Sequence, residues 1–177
     1  MSQRRAILIR HAKTEQEGPA DQGDHGRRIL PRGETDAQAA GVWLLEQRLV
    51  PDLVLCSSSM RTRQTWEQMT AGAEGLADVE VEHDRRIYNA GSEELQQVLT
   101  EAPEDAGLVA MIGHAPGIPD LVADLTDAEG SSDEALAALD DGFSTMACAV
   151  LEIDGDWADV RAGSARLTTV ETPRGDS

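Results

Sequence analysis

Three short runs of uninterrupted apolar residues punctuate the chain: Ala6–Ile9, Leu53–Cys56 and Leu108–Ile112. A strand covered on one face alternates apolar and polar positions, whereas a continuous run of four or five suits a strand buried on both. Between the runs the period lengthens to that of a helix. Val42, Leu45 and Leu49 share one side of a segment that Pro51 closes, and Thr35 and Gln38 are spaced as a capping box. Thr62, Trp66, Met69 and Ala73 mark a second helix opening near Ser58, and Leu95, Val98 and Leu99 a third after Ser92. Ile118, Leu121, Val122 and Leu125 mark a fourth that opens at Pro116, a residue suited to a first helical turn. Strands alternating with helices at this spacing join through right-handed crossovers, so the expected fold is α/β: three layers, with helices on both faces of a mainly parallel sheet.

The alternation breaks down toward the C-terminus. Thr145–Ile153 and Trp157–Arg161 flank Asp154-Gly155-Asp156, a turn signal that predicts an antiparallel hairpin at one sheet edge. Asp127 to Asp141 holds six acidic residues in 15 and reads as a solvated insertion with a short helix near Ala135–Leu139; the alternative is a lid over a site. Residues 1–170 are expected to form a single domain, and the polar stretch 171–177 to fray.

Charge narrows the partners. Fifteen basic against 33 acidic residues give a net charge of −18 over 177 residues, which argues against a nucleic-acid or anionic-membrane binder, whose surfaces need basic stripes. No run of 18 or more apolar residues occurs, and Met1–Arg5 leads into only a brief apolar stretch, so a soluble, cytoplasmic protein is expected. The two cysteines, Cys56 and Cys148, sit in apolar strand-like runs and are expected to be buried free thiols.

In an open parallel sheet, ligands bind beyond the carboxyl ends of the strands. Arg10 and His11 follow the first apolar run; Ser57, Ser58, Ser59 and then Arg61 follow the second; Gly113 and His114 follow the third. Four cationic or potentially cationic groups at one edge of an acidic chain repel one another unless an anion lies among them. The planar fork of arginine suits phosphate oxygens, and a helix N-terminus at Ser58–Arg61 adds backbone N–H groups, so a phosphate pocket is expected. Competing motifs fail on spacing. Cys56 to Arg61 is C-x4-R, one residue short of the cysteine-phosphatase loop, and Lys13-Thr14 lacks the glycine frame of a Walker loop. There is no HExxH, CxxC or Asp-rich calcium loop, and His25 and His83 read as solvated loop or strand-end residues; no metal and no cofactor is called for.

Arg10-His11-Ala12-Lys13-Thr14 resembles the R-H-G/A signature of the histidine phosphatase superfamily, the phosphoglycerate mutase-like proteins. Ser57 to Thr65 resembles its S-x3-R-A-x2-T segment with Thr62 in place of Ala, and Gly113-His114-Ala115-Pro116 its G-H-x-x segment. Asp24 to Leu44, with Arg28, Leu30 and Arg32-Gly33, and Phe143-Ser144-Thr145 are similar to the phosphohistidine phosphatase branch, the SixA type. The resemblance spans most of residues 4–153. It implies that His11 is the nucleophile, passing through a phosphohistidine intermediate, and that Arg10, Arg61 and His114 bind the transferring oxygens. Such chemistry asks mainly for in-line positioning and charge stabilisation, which these groups supply without a metal.

The leaving group decides the substrate. An alkoxide normally needs a general acid, whereas the imidazole of phosphohistidine leaves well once its free nitrogen is protonated. Family members that cleave esters carry an acid after the third strand; here the G-x-x-E spacing from Gly91 reaches Glu94, the candidate general acid, although the surrounding pattern departs from those branches. Glu93 and Glu94 read first as helix-start acids favoured by the dipole. The expected activity is therefore that of a phosphatase acting on phosphohistidine, in a protein or a small phosphoramidate. The alternatives are a phosphomonoesterase for a small phosphorylated metabolite and a non-catalytic phosphate-binding module.

Overall fold

The computed structural model describes residues 3–176. Six strands form one sheet in the order β3-β2-β4-β1-β5-β6, comprising β1 (Gln3–Arg10), β2 (Leu53–Ser57), β3 (Glu80–Asp84), β4 (Leu108–Gly113), β5 (Cys148–Asp154) and β6 (Ala165–Glu171). Strands β1 to β4 pair in parallel, β5 runs antiparallel to β1, and β6 pairs antiparallel with β5 and so points the same way as the first four. Five helices cover them: α1 (Pro31–Glu46), α2 (Met60–Gly72), α3 (Ser92–Thr100), α4 (Gly117–Leu125) and α5 (Asp133–Asp140). None is long and apolar enough to cross a membrane.

The apolar runs are continuous because both faces of their strands are buried. Ile7 and Ile9 of β1 join a core with Ala37, Ala40, Leu44, Trp66 and Met69 of α1 and α2, while Ala6 and Leu8 point the other way, into a core with Leu95, Leu99, Leu121 and Leu125 of α3 and α4. β2 divides in the same manner, Val54 and Cys56 to the first core, Leu53 and Leu55 to the second. Both cysteines are buried and free, and burial pushes each thiol up to about 12.

Several boundaries differ from the sequence expectation. Helix α1 begins at Pro31, four residues before Thr35, with the Thr35 hydroxyl donating to Arg32 O at 2.9 Å; proline at a first helical position outweighs the capping-box spacing. At the C-terminal edge an antiparallel pair forms, but Trp157–Asp159 is a 3-10 turn and the second strand starts only at Ala165. Trp157 is drawn under the sheet, where its indole N–H donates to Ala106 O at 2.8 Å, and this anchor replaces a tight hairpin turn. Strand β3, Glu-Val-Glu-His-Asp, is an exposed edge strand that carries no apolar run. The insertion forms α5 where a short helix was expected and packs beside β6 through Ser132 N–H to Leu167 O; none of its residues lines the cavity at the β1–β4 ends, so it is no lid in this structure. Within the stretch expected to fray, Arg174 and Gly175 have fixed partners: Arg174 Nη1 and the Gly175 N–H both donate to the buried Asp36 carboxylate, each at 3.0 Å.

Candidate active site

The carboxyl ends of β1, β2 and β4 lie side by side, Arg10 level with Gly113 across the sheet. A cavity of about 390 Å³ opens above them, and Arg10, His11, Arg61 and His114 all line it. The four residues singled out from sequence are thus brought together. Lys13, Thr14, Asp24, Arg27, Asn89, Ala115 and Thr145 complete the wall.

His11 is fixed through backbone and ring. Its N–H donates to Gly113 O at 3.1 Å and the next N–H, of Ala12, to the Thr65 hydroxyl at 3.0 Å, so β4 and α2 both hold the turn after β1. Its Nδ1 lies 2.7 Å from Ala12 O. A carbonyl oxygen only accepts, so Nδ1 carries the hydrogen and Nε2 presents a lone pair. Burial first, then the Arg61 and Arg10 charges, lower the His11 imidazole to about 4, which keeps it neutral at ordinary pH.

His114, 5.4 Å from His11 between ring centroids, meets the Ser57 hydroxyl through Nε2 at 2.8 Å. Burial, then the Arg61 charge, lower it to about 3. Its Nδ1 is buried and has no partner among the described residues, and it carries the ring hydrogen when Ser57 donates to Nε2. Arg10 gives Nη1 to Phe143 O at 2.9 Å, and Arg61, 3% exposed, gives Nη1 to Asp24 O at 2.9 Å. The Nε–H of each arginine is buried and likewise without a partner among the described residues. Arg10, Arg61 and His114 line one cavity and each keeps a buried nitrogen without a partner among the described residues, a set suited to an anion with several acceptor oxygens, since an orphaned buried donor otherwise costs about 1–3 kcal/mol.

Some of the site was not read from sequence. Asp24, on a 3-10 turn at Gly23–Gly26, accepts from the Tyr88 hydroxyl at 2.6 Å and Arg61 Nη2 at 3.2 Å through Oδ2, and from Arg27 Nη1 at 3.0 Å through Oδ1. The Tyr88 hydrogen bond leads the causes that lower its carboxyl to about 2. Tyr88 packs edge-on against both His25 and His114, with the Arg61 guanidinium 5.7 Å from its ring centre. Asn89 reaches the wall from left-handed backbone, φ 53°, which asparagine tolerates better than most residues. At the start of α2, where open N–H groups were expected, Ser59 Oγ accepts from Thr62 N, and Ser57 Oγ from Ser59 N, each at 3.4 Å. His25 is an exposed residue of the 3-10 turn that carries Asp24, its Nε2 3.0 Å from Ser58 Oγ, and His83 is an exposed residue near the end of β3. Glu94 stands exposed in the first turn of α3 and does not line the cavity. No group of three or more metal-ligating side chains occurs among the described residues.

Comparison with known proteins agrees with this geometry. The family model for the histidine phosphatase superfamily (branch 1) matches residues 6–120. The uncharacterised protein Rv1276c of Mycobacterium tuberculosis is 31% identical over 166 residues, 94% of this chain and 100% of the relative. A solved structure from Nakamurella multipartitia, named for the SixA phosphohistidine phosphatases, superposes with a TM-score of 0.84 at 31% identity, covering 98% of each chain. Another so named, from Agrobacterium tumefaciens, gives 0.74 at 27% identity over 96% of this chain and 99% of its own.

Proposed function

This chain belongs to the histidine phosphatase superfamily, and from that premise we propose that it hydrolyses phosphohistidine, on a protein or as a small phosphoramidate, with His11 as nucleophile and Arg10, Arg61 and His114 as the phosphoryl clamp. One observation carries the reading: a neutral imidazole with a free Nε2 shares a cavity with Arg10, Arg61 and His114, each of which keeps a buried nitrogen without a partner among the described residues. In the first step His11 Nε2 forms a bond to phosphorus as the bond to the leaving nitrogen breaks, and the departing imidazole takes its proton from solvent. In the second, water attacks the phosphoryl–His11 bond, releasing inorganic phosphate and restoring the imidazole. The donors hold the non-bridging oxygens through both steps, where most of the catalysis of phosphoryl transfer resides.

The acids around the site favour this leaving group over an alkoxide. Asp24 lines the cavity but, lowered to about 2, is a carboxylate with no proton to give, and Glu94 stands outside. A phosphoester would leave as a poor, unprotonated alkoxide, whereas an imidazole needs no buried acid. A cytoplasmic setting fits the two free thiols, which persist in reducing compartments.

The test is a quenched trapping experiment. Phosphohistidine or phosphoramidate, and separately an alkyl phosphate, are mixed with the protein, and the acid-labile phosphoryl group is mapped. The expected result is phosphate on His11, fast turnover of the phosphoramidate, slower turnover of the alkyl ester by at least tenfold, and no labelling of His11→Asn. Equal turnover of the ester makes the protein a phosphomonoesterase. Phosphate binding without any phosphoryl-enzyme makes it a binding module.

A further inference from the structure

Beside the phosphate cavity lies a second one of about 360 Å³, lined by Lys13, Arg32, Asp36, Thr145 and Arg174. Lys13 and Thr145 line both, so the two are contiguous. Asp36, 1% exposed, organises the second cavity: Oδ1 meets Arg32 Nη2 at 3.0 Å and Oδ2 meets Arg174 Nη1 at 3.0 Å, with the Gly175 N–H also on Oδ1. One carboxylate therefore holds two guanidinium groups, brought from the first turn of α1 and from the far end of the chain. Arg174 spends further donors on Thr145 O at 3.1 Å and Ser144 Oγ at 3.3 Å, whereas Arg32 pairs with Asp36 alone among the described residues. Lys13 is exposed and has neither an ion pair nor a side-chain hydrogen bond among them.

Three cations against one carboxylate leave a local charge of +2, in a chain whose total is −18. Where acids outnumber bases 33 to 15, a lysine without a carboxylate beside two arginines sharing one is a local reversal of the prevailing charge. Partly exposed cations of this kind, adjoining a site for one anion, are arranged to meet another.

We propose that Lys13, Arg32 and Arg174, fixed around Asp36, form a second anion subsite that takes a second anionic group of the substrate, a carboxylate or phosphate joined by a short linker to the transferring phosphoryl group. The inference deepens the reading above by naming the substrate class: a phosphoryl donor with an acidic neighbour. Lys13 bridges the two sites and Arg32 supplies the open fork, while Arg174 adds charge and closes the wall.

The test uses the full chain and ligands that cannot be turned over. Calorimetry compares alkylphosphonates ending in a carboxylate, from phosphonoacetate to 5-phosphonopentanoate, with methyl-ended phosphonates of equal length. At one length the carboxylate is expected to bind roughly 3–10-fold tighter, an ion-pair-sized gain. That ratio should disappear in Lys13→Gln and shrink in Arg32→Gln; Lys13, having no partner to lose, gives a variant that folds. No gain at any length, or a gain that survives both substitutions together, overturns the proposal. Phosphohistidine peptides flanked by glutamate or by glutamine then locate the second group. A preference for the glutamate flank places it on a protein and a preference confined to phosphonates on a metabolite, and either supports the subsite. Because the phosphonates read binding alone, a failure to cleave phosphohistidine would sink the functional reading and leave this result standing.

Discussion

At His11 the choice of nucleophilic nitrogen is made by a backbone carbonyl. Ala12 O takes the Nδ1 hydrogen, and burial with two nearby guanidinium groups keeps Nε2 from acquiring one until about pH 4. The nucleophile is the deprotonated form, so the sign is plain: rate falls as pH falls through the folded-state pKa of the free protein. Labelling of His11 at low phosphoramidate concentration, corrected for protonation of the leaving nitrogen, should stay level from about pH 8 to about pH 5 and drop by up to tenfold per unit below about pH 4. A midpoint near 6.5 would mean an ordinary imidazole and remove the burial argument. The same shift means that the unfolded chain takes up a proton the folded one refuses, so both His11 and His114 make stability decline as pH drops from about 6.5 toward their folded values. Arg10, His11, Arg61 and His114 were legible because each stands at or just beyond the end of an apolar run, where topology fixes position. Asp24, Tyr88 and Asn89 were not, because they lie on segments without periodicity, and Asp24 is placed by contacts to Arg61, Arg27 and Tyr88 that only the folded chain creates.

Helices α1 and α2 set Arg61 by their closeness. A Cβ on Gly41 of α1 would lie 2.1 Å from Met69 O, and one on Gly72 of α2 would lie 2.5 Å from Gln38 O, so the two backbones touch at two reciprocal points. Propensity alone would make Gly41→Ala stabilising by up to about 1 kcal/mol in a helix interior. Here the backbone oxygen cannot step aside, and forcing the helices apart should cost roughly 1–3 kcal/mol net. Urea denaturation of Gly41→Ala should show that loss, with a lower kcat because Arg61 travels with α2; equal or greater stability would show that the helices separate freely. At this scale the elements announced by burial were legible, the three doubly covered strands and the apolar faces of α2 to α4. Strand β3 was not, since an edge strand with alternating charges has only backbone pairing to β2 to declare it. Nor was the start of β6, since the chain first detours to bury Trp157.

Over the whole molecule the excess of acid pulls against the fold it coats. A net charge of −18 on 177 residues makes folding a concentration of like charge, and the ion pairs among the described residues use only a fraction of the 33 acidic groups. Screening length shrinks from about 30 Å at 0.01 M salt to about 10 Å at 0.1 M, from a reach across the molecule to a reach between neighbours. Repulsion summed over the surface is thereby relieved, whereas pairs at 3 Å such as Arg32–Asp36, with the carboxylate buried, are little affected. Stability should therefore rise with sodium chloride. For a domain of this size a gain of roughly 1 kcal/mol would read as about 2–4 °C in Tm. The scan belongs in a buffer free of phosphate and sulfate, because an anion seated among Arg10, Arg61 and His114 would raise Tm by binding and mimic the effect. A Tm that is flat or falls across this range would mean that exposed pairs such as Arg166–Asp154 hold more of the fold than the excess of acid takes away.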